Sequence, residues 1–115
     1  MLEIKRNYYY GGKIFEELCL VDGILYREGL PSVFEYNRYG YVDCVEFHNK
    51  TGLLHKIDGP AIICYNTHGN IEELCWFYNN VCYTERVKDW FYINGCNNYL
   101  DVSKEDYNRM WMEIL

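Results

Sequence analysis

The sequence contains little of what anchors a chain in a membrane or marks a familiar catalytic site. Only two prolines occur, and no apolar run approaches the roughly 18 residues that a membrane span needs. No apolar stretch of signal-peptide length follows the N-terminus, so we expect a cytoplasmic protein with reduced thiols. A phosphate-binding glycine loop, a Gly-x-Ser-x-Gly elbow and a His-Glu-x-x-His motif are also missing.

Positive charge is scarce as well, because 11 Lys and Arg residues stand against 17 Asp and Glu residues, for a net charge of −6. An acidic chain repels phosphate groups, so we expect neither direct nucleic-acid binding nor membrane binding. Six cysteines and three histidines could supply zinc ligands, but no Cys-x-x-Cys pair occurs. We therefore predict no metal and no cofactor, with the cysteines acting as small apolar side chains.

Aromatic side chains are abundant, with thirteen Tyr, five Phe and three Trp, and nine Gly are spread along the chain. Aromatic residues favour the half-buried surface of a sheet, and glycines favour turns. A chain of 115 residues has the usual size of one domain. The composition predicts a single, mainly β domain over residues 1–115.

The chain also repeats itself at a constant offset of 29 residues. The recurring positions are Leu25, Pro31, Tyr36, Asn37 and Gly40, which match Leu54, Pro60, Tyr65, Asn66 and Gly69. Residues 12–19 resemble residues 69–75, and residues 90–95 resemble residues 76–80. Repeats of this kind predict degenerate β-hairpins over about residues 12–95.

Two of these hairpins are defined well enough to predict their pairing. One has strands at 32–36 and 42–48, and the other has strands at 61–66 and 71–78. Cys44 should then lie opposite Glu35, and Cys64 opposite Glu73. Hairpins joined end to end predict an antiparallel meander, which can be a curved sheet or an open, barrel-like one.

The last residues follow a helical period instead. Ser103 is a suitable N-cap, and Asp106 is an acidic residue in the first turn. Four apolar residues follow at helical spacing: Tyr107, Met110, Trp111 and Ile114. We predict one C-terminal α-helix over about residues 103–114, whose apolar stripe docks either on the sheet or on a partner.

The segment from Leu54 to Ala61, Leu-His-Lys-Ile-Asp-Gly-Pro-Ala, is followed by a Tyr, a Gly turn and the aromatic run Trp76–Asn80. This order resembles the MORN-like repeats found in proteins of large DNA viruses, phages and some bacteria. The resemblance covers about residues 12–115, although the second unit has Arg27-Glu28-Gly29-Leu30-Pro31 where the fuller motif has Asp-Gly-Pro, and Asn80 replaces the usual Gly. It implies a β-hairpin repeat architecture that acts mostly as an interaction scaffold.

No residue pattern predicts catalysis. Neighbouring residues on a strand point to opposite faces, so neither the pair at Glu16 nor the pair at Glu72 can act on one substrate. His55 belongs to the repeat motif, which indicates a structural role, and His48 and His68 fall at a strand end and a turn. We therefore predict that the protein is not an enzyme.

The aromatic surplus is the remaining feature with functional content. It predicts a protein-binding surface that includes Tyr8, Tyr9, Tyr10, Tyr39, Tyr41 and Trp90. The alternative is that these rings stack across strands and stiffen the sheet.

The sequence thus favours a non-enzymatic protein–protein interaction module, monomeric or homodimeric, such as an accessory protein of a virus, phage or mobile element acting in the host cytoplasm. Two other interpretations stay open. One is an acidic, anti-CRISPR-like inhibitor of a host nucleic-acid-handling enzyme, and the other is a structural, self-assembling virion protein.

Overall fold

A computed structural model describes all 115 residues and consists of nine strands followed by two helices. The strands are β1 (Leu2–Tyr8), β2 (Ile14–Val21), β3 (Ile24–Leu25), β4 (Val33–Tyr36), β5 (Val42–Glu46), β6 (Ile62–Tyr65), β7 (Ile71–Cys75), β8 (Phe77–Tyr78) and β9 (Val81–Cys82). The helices are α1 (Thr84–Ile93) and α2 (Lys104–Ile114).

Seven strands form one antiparallel sheet in the order β1-β2-β4-β5-β6-β7, with β3 paired to β2. The strands β8 and β9 form a separate two-stranded sheet. The large sheet has β1 and β7 at its two edges, so it is open and does not close on itself. The prediction of a mainly β, antiparallel fold is therefore confirmed, and the sheet is not closed into a barrel.

The predicted cross-strand pairs are also present. Glu35 lies opposite Cys44 in the β4–β5 pair, and Cys64 lies opposite Glu73 in the β6–β7 pair. The return strand from Ile71 ends at Cys75 rather than continuing to Tyr78, because Trp76 interrupts it and β8 pairs with β9 instead. The sequence therefore placed the hairpins correctly and missed this break.

Three hairpin turns at one end of the sheet share the same hydrogen bonds. In each, the first residue donates its N–H to the carbonyl of the fifth, and a glycine at the fourth position donates back to the first. These turns span residues 9–13, 37–41 and 66–70, and a fourth turn of this type spans residues 49–53. The side-chain oxygens of Asn37 and Asn66 each accept two further backbone N–H groups within their turns. The glycine is required because its φ is positive, +90° at Gly40 and +81° at Gly69.

The C-terminal helix lies where the sequence predicts it. Ser103 is the N-cap of α2, and its Oγ accepts the N–H of Asp106 at 3.2 Å. The apolar stripe of α2 is buried within the chain: Tyr107, Met110, Trp111 and Ile114. Trp111 also donates its Nε1–H to the carbonyl of Ile57 at 2.8 Å. The stripe thus docks on its own chain.

The prediction of only one helix is wrong, because α1 occupies residues that the repeat comparison assigned to a hairpin. Helix α1 buries Val87, Trp90 and Phe91, which are spaced three and four residues apart on one face. That face packs against α2, so tertiary contact overrides the aromatic strand-like pattern. Gly95, the last residue of the run that resembles residues 76–80, has φ +76° and lies just beyond the C-cap of the helix.

The main core lies where the two helices meet the end of the sheet. Only 15 of 115 residues are buried, and the largest cluster consists of Trp76 from the junction of β7 and β8 together with side chains of α1 and α2. Arg86 of α1 donates to the carbonyl of Ile114 at the end of α2. Since the helices gather at β7, they leave most of the sheet uncovered. Neither helix is both long and apolar enough to cross a membrane.

The two faces of the sheet differ in chemistry. One face carries the cross-strand row Phe34, Val45, Ile63 and Leu74, and we call it the apolar face. The other face carries Glu16, Glu35, Glu46 and Glu73 around the facing cysteines of β5 and β6, and we call it the acidic face. Alternation along each strand separates these two sets of side chains.

Candidate interaction surface

A groove on the apolar face is the largest concave feature of the protein, with a volume of about 770 Å³. Its floor contains Phe34, Val45 and Ile63, which lie side by side on β4, β5 and β6. Tyr41 and Tyr65 line it at the turn end of these strands, and Phe47, the residue just after β5, lines it at the other end. Neither helix contributes a residue to this groove. The result is an accessible apolar surface bordered by tyrosines.

The turn end of the sheet gathers four of the six aromatic residues that the sequence singles out. Tyr9 and Tyr10 border a small depression together with Arg38, and Tyr39 borders another with Gly12 and Tyr36. Tyr41 follows in the same turn as Tyr39 and lines the groove. The alternating direction of the strands explains this grouping, because every second connection returns to the same end of the sheet. Tyr10, Tyr39 and Tyr41 are strongly exposed.

Tyr9 contacts three other residues of the chain in addition to bordering this depression. Its hydroxyl donates to the carbonyl of Tyr36 at 2.7 Å, and its ring lies 5.4 Å from the ring of Phe15. The guanidinium of Arg38 lies 4.8 Å from the centre of the Tyr9 ring. Tyr9 therefore ties the first turn to β4.

Tyr8 and Trp90 border neither the groove nor the two depressions at the turn end. Tyr8 is exposed at the end of the edge strand β1. Trp90 is only 9% exposed, packs in the helical core, and has Arg109 over its ring at 5.0 Å. The expectation that Trp90 offers a contact surface is therefore wrong, because α1 turns this side chain inward.

The acidic face concentrates negative charge. Glu16 lies directly opposite Glu35, and Glu46 follows two residues after Cys44, the residue that faces Glu35. Burial raises the pKa of Glu46, and repulsion from Glu35 and Glu16 raises it further. In the sequence, only the register of the paired strands could have indicated that these glutamates lie close together.

The raised pKa of Glu46 makes stability depend on pH. Because the folded state raises this pKa above its unfolded value, protonation of Glu46 favours the fold at low pH, and this stabilisation is lost as the pH rises through the folded-state pKa. The lowered pKa values of His48 and His55, both due to burial, act in the opposite direction on acidification. A variant without the Glu46 carboxyl group therefore separates its contribution to the pH dependence of stability from that of the two histidines.

We expect Glu46→Gln to unfold less readily than the wild type at pH 7, by up to about 1 kcal/mol, and to lose this advantage near pH 4. Urea denaturation at both pH values measures the difference. Glu28→Gln is the matched control, because Glu28 is exposed and makes no ion pair. Equal pH dependence of the two variants would contradict the role assigned to Glu46.

Ser32, His48 and Glu46 form a chain of polar contacts, one hydrogen bond and one longer contact, that no sequence pattern indicated. Ser32 Oγ lies 2.6 Å from His48 Nδ1, and His48 Nε2 lies 3.7 Å from a Glu46 carboxylate oxygen. This trio resembles a nucleophile–base–carboxylate relay in composition. Ser32, however, is 0% exposed, so its hydroxyl is sealed from any substrate. The contacts join the residue before β4 to the segment just after β5 and indicate a structural role for His48.

A second cleft of about 410 Å³ lies near His48 and collects cationic side chains. Arg27, Lys50 and Lys56 all line it, and none forms an ion pair with a carboxylate. Lys56 Nζ lies 3.7 Å from the centre of the Phe47 ring, and burial lowers the pKa of this lysine. The cleft is a local exception to the acidic character of the chain.

Cysteine chemistry differs from the expectation of six reduced thiols. Cys44 and Cys64 face each other on β5 and β6, with Cα atoms 4.1 Å apart, and are joined by a disulfide. The other cysteines are free: Cys19, Cys75, Cys82 and Cys96. The sequence comparison treated the two bonded cysteines as parts of separate hairpins, but the pairing of β5 with β6 brings them together. The structure contains no group of three or more His, Cys, Asp or Glu side chains that could hold a metal ion.

Comparison of the chain with family models, with curated proteins and with solved structures found no match.

Proposed function

We propose that the protein is a non-enzymatic module that binds apolar side chains of a protein partner in the groove of the apolar face. The observation that carries this proposal is an apolar groove, covered by neither helix, whose floor holds the half-buried Phe34 and Ile63 on either side of the buried Val45. Two tyrosines, Tyr41 and Tyr65, line the same groove. Aromatic side chains are enriched at protein interfaces because they contribute a large contact area with a polar tip. A partner that inserts apolar residues here would bury surface that the protein's own helices leave open.

The geometry of the turns supports the further proposal that the hairpins are degenerate repeats of MORN-like type. The turns at residues 37–41 and 66–70 have the same backbone and asparagine hydrogen bonds at an offset of 29 residues. Tyr41 and Tyr65, the latter equivalent to Tyr36 by this offset, line the same groove. Repetition of this kind would create an extended scaffold on which binding side chains are displayed at regular intervals.

We expect Tyr41→Ala to abolish capture of the partner, whereas Tyr39→Ala leaves it intact. Both tyrosines are exposed in the same turn, but only Tyr41 lines the groove. The measurement is affinity purification of tagged wild type and both variants from a lysate, with bound proteins identified by mass spectrometry. Circular dichroism must first show that both variants are folded. A partner lost with both variants, or with neither, would contradict the groove assignment.

The acidic face supports a second candidate, an inhibitor that occupies a basic, nucleic-acid-binding surface of another protein. Glu16, Glu35 and Glu46 supply a concentrated negative patch on the side opposite the groove. Repeating the purification at low and moderate salt separates the two candidates. Apolar binding in the groove is insensitive to salt, whereas binding through the acidic face weakens as salt screens the charges.

A further inference from the structure

The edge strand β1 is exposed along its whole length. All seven of its residues are exposed, and only one of its two backbone edges is paired, with β2. Three apolar side chains on it are substantially exposed: Leu2 at 49%, Ile4 at 41% and Tyr8 at 55%. A long edge strand with unpaired N–H and C=O groups is a template for another strand.

The unpaired backbone groups of β1 belong to its even-numbered residues. The carbonyl of Met1 accepts from Asp22, and the N–H of Tyr9 donates to Lys13, so both of these point toward β2. Backbone direction alternates along an antiparallel strand. The N–H and C=O groups of Leu2, Ile4 and Arg6 therefore point away from the sheet, toward open solvent.

The charges on β1 are complementary to those of a second β1 strand. Glu3 faces Leu20 and Lys5 faces Leu18 within the chain, so neither charge has an intramolecular partner across the pair. Arg6 is different, because its Nε lies 2.8 Å from Glu17. Glu3 and Lys5 are therefore free to form ion pairs with a strand that pairs with this edge.

Only one antiparallel register of two β1 strands satisfies these charges. A two-fold axis at Glu3, Lys5 or Arg6 would set identical charges directly opposite each other, which is destabilising. An axis at Ile4 instead sets Glu3 opposite Lys5 of the second copy and Lys5 opposite its Glu3. The same axis pairs Ile4 with Ile4 of the second copy, where outward N–H and C=O groups can exchange hydrogen bonds. Registers centred nearer either end pair fewer residues.

We propose that two copies of this chain associate through antiparallel β1–β1 pairing centred on Ile4. The interface would contain about six backbone hydrogen bonds, two reciprocal ion pairs and an Ile4–Ile4 contact that extends the apolar face across both copies. Self-pairing of the opposite edge is disfavoured, because β7 carries Glu72 and Glu73 side by side. The interface is separate from the groove around Tyr41, so it does not depend on the proposed partner binding.

Charge reversal and its repair test the register. Sedimentation velocity at low salt is expected to show a concentration-dependent dimer for the wild type. Lys5→Glu and Glu3→Lys each place like charges opposite each other and are expected to weaken dimerisation by at least about tenfold. The double variant Glu3→Lys/Lys5→Glu restores opposite charges in the same register and is expected to recover the dimer. Because neither residue pairs with a charge in its own chain, a folding defect would not be repaired by the swap.

A cross-link tests the position of the axis. Ile4→Cys is expected to form a disulfide-linked dimer under mild oxidation, because residues paired in this way have Cα atoms about 5.5 Å apart. Leu2→Cys is the matched control, since Leu2 would face Arg6 of the second copy instead of another cysteine. A strictly monomeric wild type, a dimer insensitive to charge reversal, or open-ended oligomers from β1–β7 pairing would each overturn the proposal.

Discussion

Replacing Trp76 with alanine is expected to lower the free energy of unfolding by about 3–5 kcal/mol, the usual cost of emptying a large buried aromatic site. Trp76 is 0% exposed and lies at the junction between β7 and β8. Its Nε1–H donates to the Tyr107 hydroxyl at 3.3 Å, and its ring meets the edge of the Tyr99 ring at a centroid distance of 5.2 Å. The substitution therefore removes the side chain that joins the sheet to both helices.

The hydrogen bonds of the Tyr107 hydroxyl add to the expected loss of stability. The Tyr107 hydroxyl donates to the carbonyl of Tyr99 at 2.7 Å while it accepts from Trp76. Burial raises the pKa of Tyr107 to about 12, which keeps the hydroxyl protonated and able to donate across the neutral range. Loss of the Trp76 indole leaves this buried hydroxyl with one fewer partner.

Chemical denaturation followed by far-ultraviolet circular dichroism measures the change. Tyr92→Ala is the matched control, because Tyr92 lies on α1 but is strongly exposed, and it should alter stability by less than about 0.5 kcal/mol. If Trp76→Ala cost no more than the control, the helices would not be docked through this residue.

Removing the disulfide is expected to cost about 2–4 kcal/mol under oxidising conditions. The bond joins cysteines 20 residues apart in sequence, and closing a loop of this size restricts the unfolded chain. Cys44→Ala/Cys64→Ala should therefore unfold at a lower denaturant concentration than the oxidised wild type.

A reductant supplies the control for this experiment. In the presence of dithiothreitol the wild type is also unbridged, so the difference between it and the double variant should shrink to the packing contribution of two sulfur atoms. Thiol titration after denaturation gives an independent reading: the oxidised wild type should show four reactive thiols of the six cysteines. Six reactive thiols in protein kept from reductant would favour the reduced state expected from sequence.

Local sequence was sufficient wherever neighbouring residues determine the backbone. Glycines at residues 40 and 69 predicted the turns between these strands, because glycine tolerates a positive φ. Alternation on either side of these turns then placed Cys44 against Glu35 and Cys64 against Glu73. Helix α2 followed from Ser103 and the apolar stripe for the same reason, since capping and periodicity are local properties.

The errors occur where distant segments decide the outcome. The run around Trp90 resembles an aromatic strand, but it forms α1 because the helix buries Val87, Trp90 and Phe91 against α2. The same packing makes Trp90 a core residue and removes it from the predicted binding surface. No pattern within residues 84–95 states which partner segment is available to bury them.

The candidate site was likewise predicted only in part from the sequence. Sequence drew attention to Tyr39 and Tyr41 as surplus aromatic residues, but only the tertiary structure assigns Tyr41 to the groove and Tyr39 to a separate depression. It also brings Ser32 to His48 and Cys44 to Cys64, pairs that are separated by 16 and 20 residues along the chain. Such contacts depend on which strands become neighbours in the sheet.

Amino-acid order alone thus determined the β4–β5 and β6–β7 hairpins, with their turns and cross-strand pairs, and the capped C-terminal helix, because each arises from interactions between residues close in sequence. The tertiary structure decided the second helix, the disulfide, the burial of Trp90 and the separation of an apolar from an acidic face. Those features arise when β5 pairs with β6 and when the two helices gather over Trp76, which leaves the groove and the β1 edge open to solvent.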